Sequence, residues 1–283
     1  MLPYCYTVHA DTAPSATKMQ YITHNAKTKE ETFLHYDISP PAELANHTLT
    51  QPGFSGISSL QTLAQSSNLR DVPEDRIVEN CNSLPYRAIC YVSVTFPNGG
   101  NYRSTGWLFS ADGVVVAGHA IYNPERGGWA DQVTVYPAKD GNSEPYRATA
   151  YEYGIATPFF ESQDVNYDYG LLKLEQPIGN TVGYLGYTYN GGAVNNAIRT
   201  IGYPAIVDEN GNVLKKQYES FGTVLSVDTN RIYHNADSAG GQSGGPILLG
   251  NTAIGVSTHI NSATNINKGK RIHYDMYAWM NEW

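Results

Sequence analysis

Residues 105–123 read TGWLFSADGVVVAGHAIYN. Two short runs of aromatic and β-branched residues, WLF and VVV, flank the turn residues SADG, which is the pattern of a buried β-hairpin. From about Arg87 onward the same texture recurs in RAICYVSV, DQVTVYPA, RATAYEYG and YGLLKLEQP. After the turn-rich NTVGYLGYTYNGGAVNN comes a second set: NAIRTIGYP, SFGTVLSVD, RIYHNADS, GGPILLGN, AIGVSTHI and GKRIHY. Short strands punctuated by Gly, Asn, Asp and Pro give an all-β class with two units of similar size. A helical period appears only in HYDMYAWMNEW (273–283), a short amphipathic helix with Met276, Trp279 and Met280 turned inward.

Residues 1–70 differ in kind. They are rich in Thr, Ser, Ala, Asn and Gln, show no sustained period, and read as a leader outside the core. The chain therefore divides into a leader over 1–70, an N-terminal β unit over 71–180 and a C-terminal unit over 181–283.

Composition narrows the chemistry. A net charge of -8 over 283 residues gives no electrostatic footprint for nucleic acid. No stretch approaches the roughly 20 apolar residues of a membrane-spanning helix. The opening MLPYCYTVHADTAPS lacks the basic and apolar regions of a signal peptide. Cys5, Cys81 and Cys90 are too few for a disulfide framework and lack the paired spacing of a zinc site; Cys81 and Cys90 either pair across a short loop or remain thiols. The acidic DENGN (208–212) lacks the ligand pattern of a calcium loop.

The sharpest local signal is GGQSGGPIL, where Ser243 lies among four glycines just before a strand. Glycine lets the backbone turn tightly and aim N–H groups into one space, so the N–H groups of Gly241 and Ser243 are the candidate oxyanion donors. Alone, the pattern is also that of an ordinary hairpin turn. A serine hydroxyl needs an imidazole to take its proton and a carboxylate to hold that imidazole's tautomer. His119 ends the apolar strand GVVVAGHAI, and Asp168 precedes the apolar strand of NYDYGLLKL, with Asp164 as its competitor. Separately, a strand-end His is usually structural and an Asp before a strand usually caps a turn. The order His, Asp, Ser excludes the helix-rich α/β-hydrolases, which run Ser, acid, His; His273 and Asp275 come after the serine, in the wrong order for a β protein.

With these residues in place the chain resembles the chymotrypsin-like serine proteases, most closely the bacterial glutamyl endopeptidases of the staphylococcal V8 and Bacillus type. The likeness is carried by LPYRAI (84–89), TGWLFSADGVVVAGHAIYN (105–123), NYDYGLLKLEQPIGNTVGYLGYTY (166–189), IGYP (201–204) and DSAGGQSGGPI (237–247). It implies two packed antiparallel β-barrels, with His119 and Asp168 from the first and Ser243 from the second. It also implies secretion and a propeptide removed near Arg70. Four basic against five acidic residues in 1–70 do not make the leader a charge-neutralising lid.

The sequence departs from those relatives in two places. Many bracket the histidine with a disulfide, whereas the matching positions here are Ser104 and Ala120, which forgoes about 2–4 kcal/mol of cross-link stabilisation. Glutamyl endopeptidases also bind the substrate carboxylate with a histidine on the strand lining the pocket and a hydroxyl residue before the nucleophile. Ser238 supplies the hydroxyl, but Ser257 stands where the histidine is expected, with His259 two residues on and, by strand alternation, on the same face. Lys268, Lys270 and Arg271 offer nearby positive charge, and Asp237 matches the pocket-base Asp of a basic-specific enzyme. The resemblance therefore implies a serine endopeptidase with acidic preference at P1. Basic P1 preference and a catalytically inactive peptide-binding homologue are the alternatives. No cofactor is required, the expected partners are protein or peptide substrates without nucleic acid or membrane, and a monomer is expected.

Overall fold

The structure, a computed structural model, describes residues 18–37, 49–55, 75–259 and 266–283. In chain order, a hairpin of β1 (Lys18–Asn25) and β2 (Glu31–Asp37) is followed by the short β3 (Thr50–Gln51) and β4 (Asp75–Ile77). The first barrel then runs through β5 (Ile89–Thr95), β6 (Asn101–Leu108) and β7 (Gly113–Val116), a small ladder of β8 (Tyr122–Asn123) and β9 (Gly128–Trp129), and β10 (Gln132–Pro137), β11 (Ala148–Ala156) and β12 (Gly170–Leu174). A six-residue α1 (Thr157–Ser162) lies between β11 and β12. After α2 (Gly179–Val182) and β13 (Gly186–Thr188), the second barrel comprises β14 (Ala197–Gly202), β15 (Tyr218–Val227), β16 (Arg231–His234), β17 (Pro246–Leu249), β18 (Thr252–His259) and β19 (Asn267–Arg271). The chain closes with α3 (Tyr274–Glu282).

Each sheet closes on itself. The first runs β10-β5-β6-β7-β12-β11 and is sealed by the β10–β11 pairing; the second runs β17-β14-β15-β16-β19-β18 and is sealed by β17–β18. Closure removes the open edges on which strands of this kind would otherwise aggregate. The hairpin within 105–123 forms as expected: Trp107 pairs with Val115 and Leu108 with Val114, and all four are fully buried. Helix α3 also holds, with Met276, Trp279 and Met280 buried. Cys81 and Cys90 are free, buried thiols, and burial pushes the Cys81 thiol up to about 12. Cys5 lies outside the described residues. Asp208 of DENGN accepts from the backbone N–H groups of Asn210 and Asn212, which makes that segment a carboxylate-capped turn.

The expectation of a leader outside the core needs correction for the part of 1–70 that is described. Strand β1 pairs antiparallel with β11 and extends the first sheet, and Met19, Tyr21 and Ile22 are core residues. The Tyr21 ring stacks on Trp279 of α3 at 4.0 Å, and its hydroxyl lies 3.3 Å from that of Tyr169, the neighbour of Asp168 in sequence. Strand β3 pairs with β13 in the second sheet, and the buried Arg87 guanidinium donates to the carbonyls of Ser55 and Val182. Residues 1–70 thus contribute two strands, β1 and β2, to the first sheet and one, β3, to the second. Tyr21→Ala is expected to cost about 3–5 kcal/mol of stability in the full chain, because it empties a fully buried ring site. Denaturant unfolding checks this, and an unchanged midpoint would mean that β1 is not part of the cooperative core.

Candidate active site

His119 sits in the single turn Gly118–Ala120 just after β7, and Asp168 lies two residues before β12, at the end of the Val165–Tyr167 turn. Strands β7 and β12 are neighbours, with Val116 opposite Gly170, so ladder register alone brings the two side chains to one rim of the first barrel. Asp168 is 1% exposed and grips the histidine twice. Its Oδ1 accepts the His119 backbone N–H at 2.8 Å, and its Oδ2 lies 2.7 Å from ring Nδ1. Burial alone would raise the Asp168 pKa, but the charge and hydrogen bonds of His119 hold it below the ordinary value. A carboxylate in that state can only accept, so the Nδ1 proton belongs to His119 and Nε2 is left as an acceptor. Burial would likewise lower the imidazole pKa, yet the Asp168 anion raises it above 6.5. Asp164, the competitor, caps its own turn by accepting from the Asn166 N–H.

Ser243 arrives from the second barrel on a loop clamped by β6 of the first. Its carbonyl accepts from the Thr105 N–H at 2.9 Å and from the Ser104 hydroxyl at 2.6 Å, while the Thr105 hydroxyl donates to the Gly241 carbonyl at 2.8 Å. Ser104, one of the two positions where relatives carry a disulfide, instead ties the strand to the serine loop by a hydrogen bond. The glycines are demanded by this contact. Gly244 has φ +88, and a Cβ there would lie 2.1 Å from the Thr105 carbonyl oxygen; Gly241 has φ +97, with the Tyr203 carbonyl 2.6 Å from such a Cβ. Among the described residues neither the Gly241 nor the Ser243 N–H has an acceptor, so both donors are free.

His119, Ala120, Gly241 and Ser243 line one cavity of about 140 Å³ between the barrels. A larger hollow of about 420 Å³ on the second barrel, around Asn190, Asn196 and Ile254, is lined by no titratable side chain and shares no residue with this cavity. The four residues expected to bind substrate lie outside the 140 Å³ cavity. Asp237 is exposed and accepts from the Ser238 N–H, and Ser238 is half-buried. Ser257 is buried on β18, where its carbonyl accepts from Gly244 N–H and its N–H donates to the Gly245 carbonyl, fixing the strand beside the serine loop.

The expectation that His259 shares the face of Ser257 does not hold. Ser257 pairs with Gly269 and His259 with Lys268, so Thr258 is an extra residue in a bulge that interrupts strand alternation. His259 remains electrically close to the pair: burial lowers its pKa, Asp168 opposes that, and His119 reinforces it. Nor do the cations of NKGKR face a pocket together. Lys270 is buried between the Tyr167 and Tyr169 rings, 3.7 Å from the Asp275 carboxylate, and Lys268 lies over Tyr233. His273 and Asp275 sit 3.5 Å apart in that same cluster. Sequence reasoning missed the Ser104–Thr105 clamp and two arginines of the cavity wall, Arg103 and Arg126. Arg103 carried a signal, since it stands two residues before the hairpin stretch that begins at Thr105.

Residues 77–280 match the family described as Trypsin. The chain belongs to the trypsin family. This trypsin-family chain is 28% identical to the glutamyl endopeptidase of Bacillus licheniformis, with 93% of this chain and 87% of that protein covered. It is 30% identical to a Bacillus subtilis protein named extracellular metalloprotease, over 90% of this chain and 83% of the relative. Among the described residues no three His, Cys, Asp or Glu side chains gather as a metal-binding group. A solved Glu endopeptidase in complex with MPD superposes with a TM-score of 0.66 at 27% identity, covering 75% of this chain and 97% of that one. The protease Anisep from Arthrobacter nicotinovorans, 20% identical with a TM-score of 0.62, shares the fold and covers 74% of this chain and 98% of its own.

Proposed function

We propose that this trypsin-family chain is a serine endopeptidase acting through an acyl-enzyme. The observation that carries the proposal is the buried Asp168 carboxylate holding both the backbone and the ring of His119 at the wall of a cavity that Ser243 shares. His119 takes the Ser243 proton as the hydroxyl attacks the substrate carbonyl, and the oxygen that becomes negative is met by the Gly241 and Ser243 N–H groups. The C–N bond then breaks with His119 returning the proton to the leaving amine. Water, deprotonated by the same imidazole, releases the acid and regenerates the serine. Every proton is carried by one residue, so no cofactor enters.

At P1 the proposal is an acidic residue, supported by the likeness to glutamyl endopeptidases and by the half-buried Ser238 hydroxyl. A peptide library profiled at P1 should give Glu and Asp at least about tenfold over Lys and Arg, and Ser238→Ala should lower kcat/KM on Glu peptides by roughly tenfold through the lost hydrogen bond to a charged group. Cleavage only after Lys and Arg would end the acidic assignment.

Secretion and cleavage near Arg70 belong to the same proposal, in keeping with the name of the extracellular Bacillus relative. Arg70 lies outside the described residues. A cut there leaves β1 held by its ladder to β11 and by the Tyr21–Trp279 stack, so cleavage and release of the leader are separate events. None of residues 18–37 or 49–55 lines the cavity of His119 and Ser243.

A further inference from the structure

The cavity shared by His119 and Ser243 has a second charged feature besides the histidine. Arg103 on β6 and Arg126, in the turn between β8 and β9, both line it, together with Tyr102 and Val94. Among the described residues neither guanidinium has a carboxylate within ion-pair distance, whereas the buried Glu219 is engaged by Arg76 and Arg199, and Lys139 by Glu144. Arg126 is held in place. Its guanidinium stacks 3.7 Å from the Tyr102 ring centroid; Tyr102 packs edge-on against Phe96 and its hydroxyl accepts from Asn98 Nδ2. Stacking orients the planar guanidinium while leaving its N–H edge to bind. Arg103 precedes Ser104, whose hydroxyl is bonded to the Ser243 carbonyl, so its backbone is fixed relative to the serine loop.

The proton path decides which part of a substrate meets these arginines, and this step rests on the proposed function. His119 protonates the departing amine, which places the leaving half of the peptide on the His119 side of Ser243. The cavity contains His119 and Ala120 and none of Asp237, Ser238, Ser257 or His259, the acyl-side candidates. We propose that Arg103 and Arg126 form a leaving-side subsite that takes an acidic residue one or two positions beyond the scissile bond. Two local cations matter all the more on a chain of net charge -8, whose overall field opposes acidic peptides. That Arg126 acts electrostatically on His119 agrees with its position beside the departing amine.

The test uses quenched fluorescent peptides with one acyl half, carrying Glu, Gln or Lys at the first or second leaving-side position. Glu is expected to exceed Gln in kcat/KM by roughly 2- to 5-fold, as ion pairs with an exposed Arg103 and a half-buried Arg126 give, and Lys to fall below both. The Glu advantage should shrink as salt rises from about 0.05 to 0.5 M, because the Debye length contracts. In the R103Q/R126Q double variant the Glu/Gln ratio should approach one, and in R103K/R126K, which keeps the charge, part of it should persist. Equal turnover of Glu and Gln peptides by the wild-type chain overturns the subsite while leaving the endopeptidase reading intact. No cleavage of any peptide together with no fluorophosphonate labelling of Ser243 overturns both.

Discussion

Ser243→Ala is expected to lower kcat/KM on a peptide amide by roughly 10⁵-fold, about 7 kcal/mol of transition-state stabilisation. Two other hydroxyl side chains line the cavity: Ser104 donates to the Ser243 carbonyl and so cannot replace the proposed nucleophile without breaking the clamp between the barrels, and the Tyr102 hydroxyl accepts from Asn98 Nδ2 while its ring lies under Arg126. The alanine variant keeps both hydrogen bonds to that carbonyl and the glycine geometry on either side. Its unfolding free energy should therefore stay within about 0.5 kcal/mol of the parent, so that lost turnover reports chemistry and not folding. Steady-state kinetics on one substrate, with an unfolding curve for each protein, checks both halves. Turnover persisting within about tenfold of the parent would remove Ser243 from the reaction.

Asp168→Asn is expected to cost roughly 10⁴-fold near neutral pH while keeping the fold. An amide at this site presents a donor to Nδ1 where the carboxylate presented an acceptor, so the ring is turned toward the tautomer that carries its proton on Nε2. The pH profile separates this effect from simple damage. Under the proposed mechanism the parent needs the neutral imidazole, so activity should rise as pH climbs through the His119 pKa, which Asp168 holds above 6.5. In the variant the anion is gone, burial and Arg126 act unopposed, and the acid-side inflection should move to lower pH. An unchanged inflection would show that Asp168 does not govern His119. Stability runs the other way. A raised histidine pKa contributes stability that is fully present below 6.5 and is lost as pH rises through the folded-state value, so mild acid strengthens the pair while silencing the proposed base.

How far the sequence could be read depended on whether a signal was local. Barrel strands declared themselves because alternation and turns repeat within a few residues, as in TGWLFSADGVVV, and α3 did so because Met276, Trp279 and Met280 fall on one helical face. Strand β1 did not. KMQYITHN is short and mixed in polarity, and its partner β11 lies more than 120 residues away, so only assembly reveals that Tyr21 and Ile22 are buried. The candidate triad was legible from residue type, chain order and the family resemblance, and the structure sets the competitor Asp164 apart by showing it capping its own turn. Thr105 and Ser104 were illegible as clamps because their role exists only where one barrel crosses the other. Thr258 was illegible because a bulge leaves the composition of a strand unchanged while displacing the residues after it, which is why His259 was misplaced relative to Ser257.

The central claim is that one particular hydroxyl, in one particular loop, is made nucleophilic by the His119–Asp168 pair. Fluorophosphonate labelling with peptide mapping asks this directly, on the full chain and on the chain cleaved near Arg70. A single adduct on Ser243 is expected, formed by the cleaved parent and slowed at least about 10³-fold when His119 is replaced by alanine. An adduct on another residue, or peptide hydrolysis continuing with Ser243 unmodified, would contradict it.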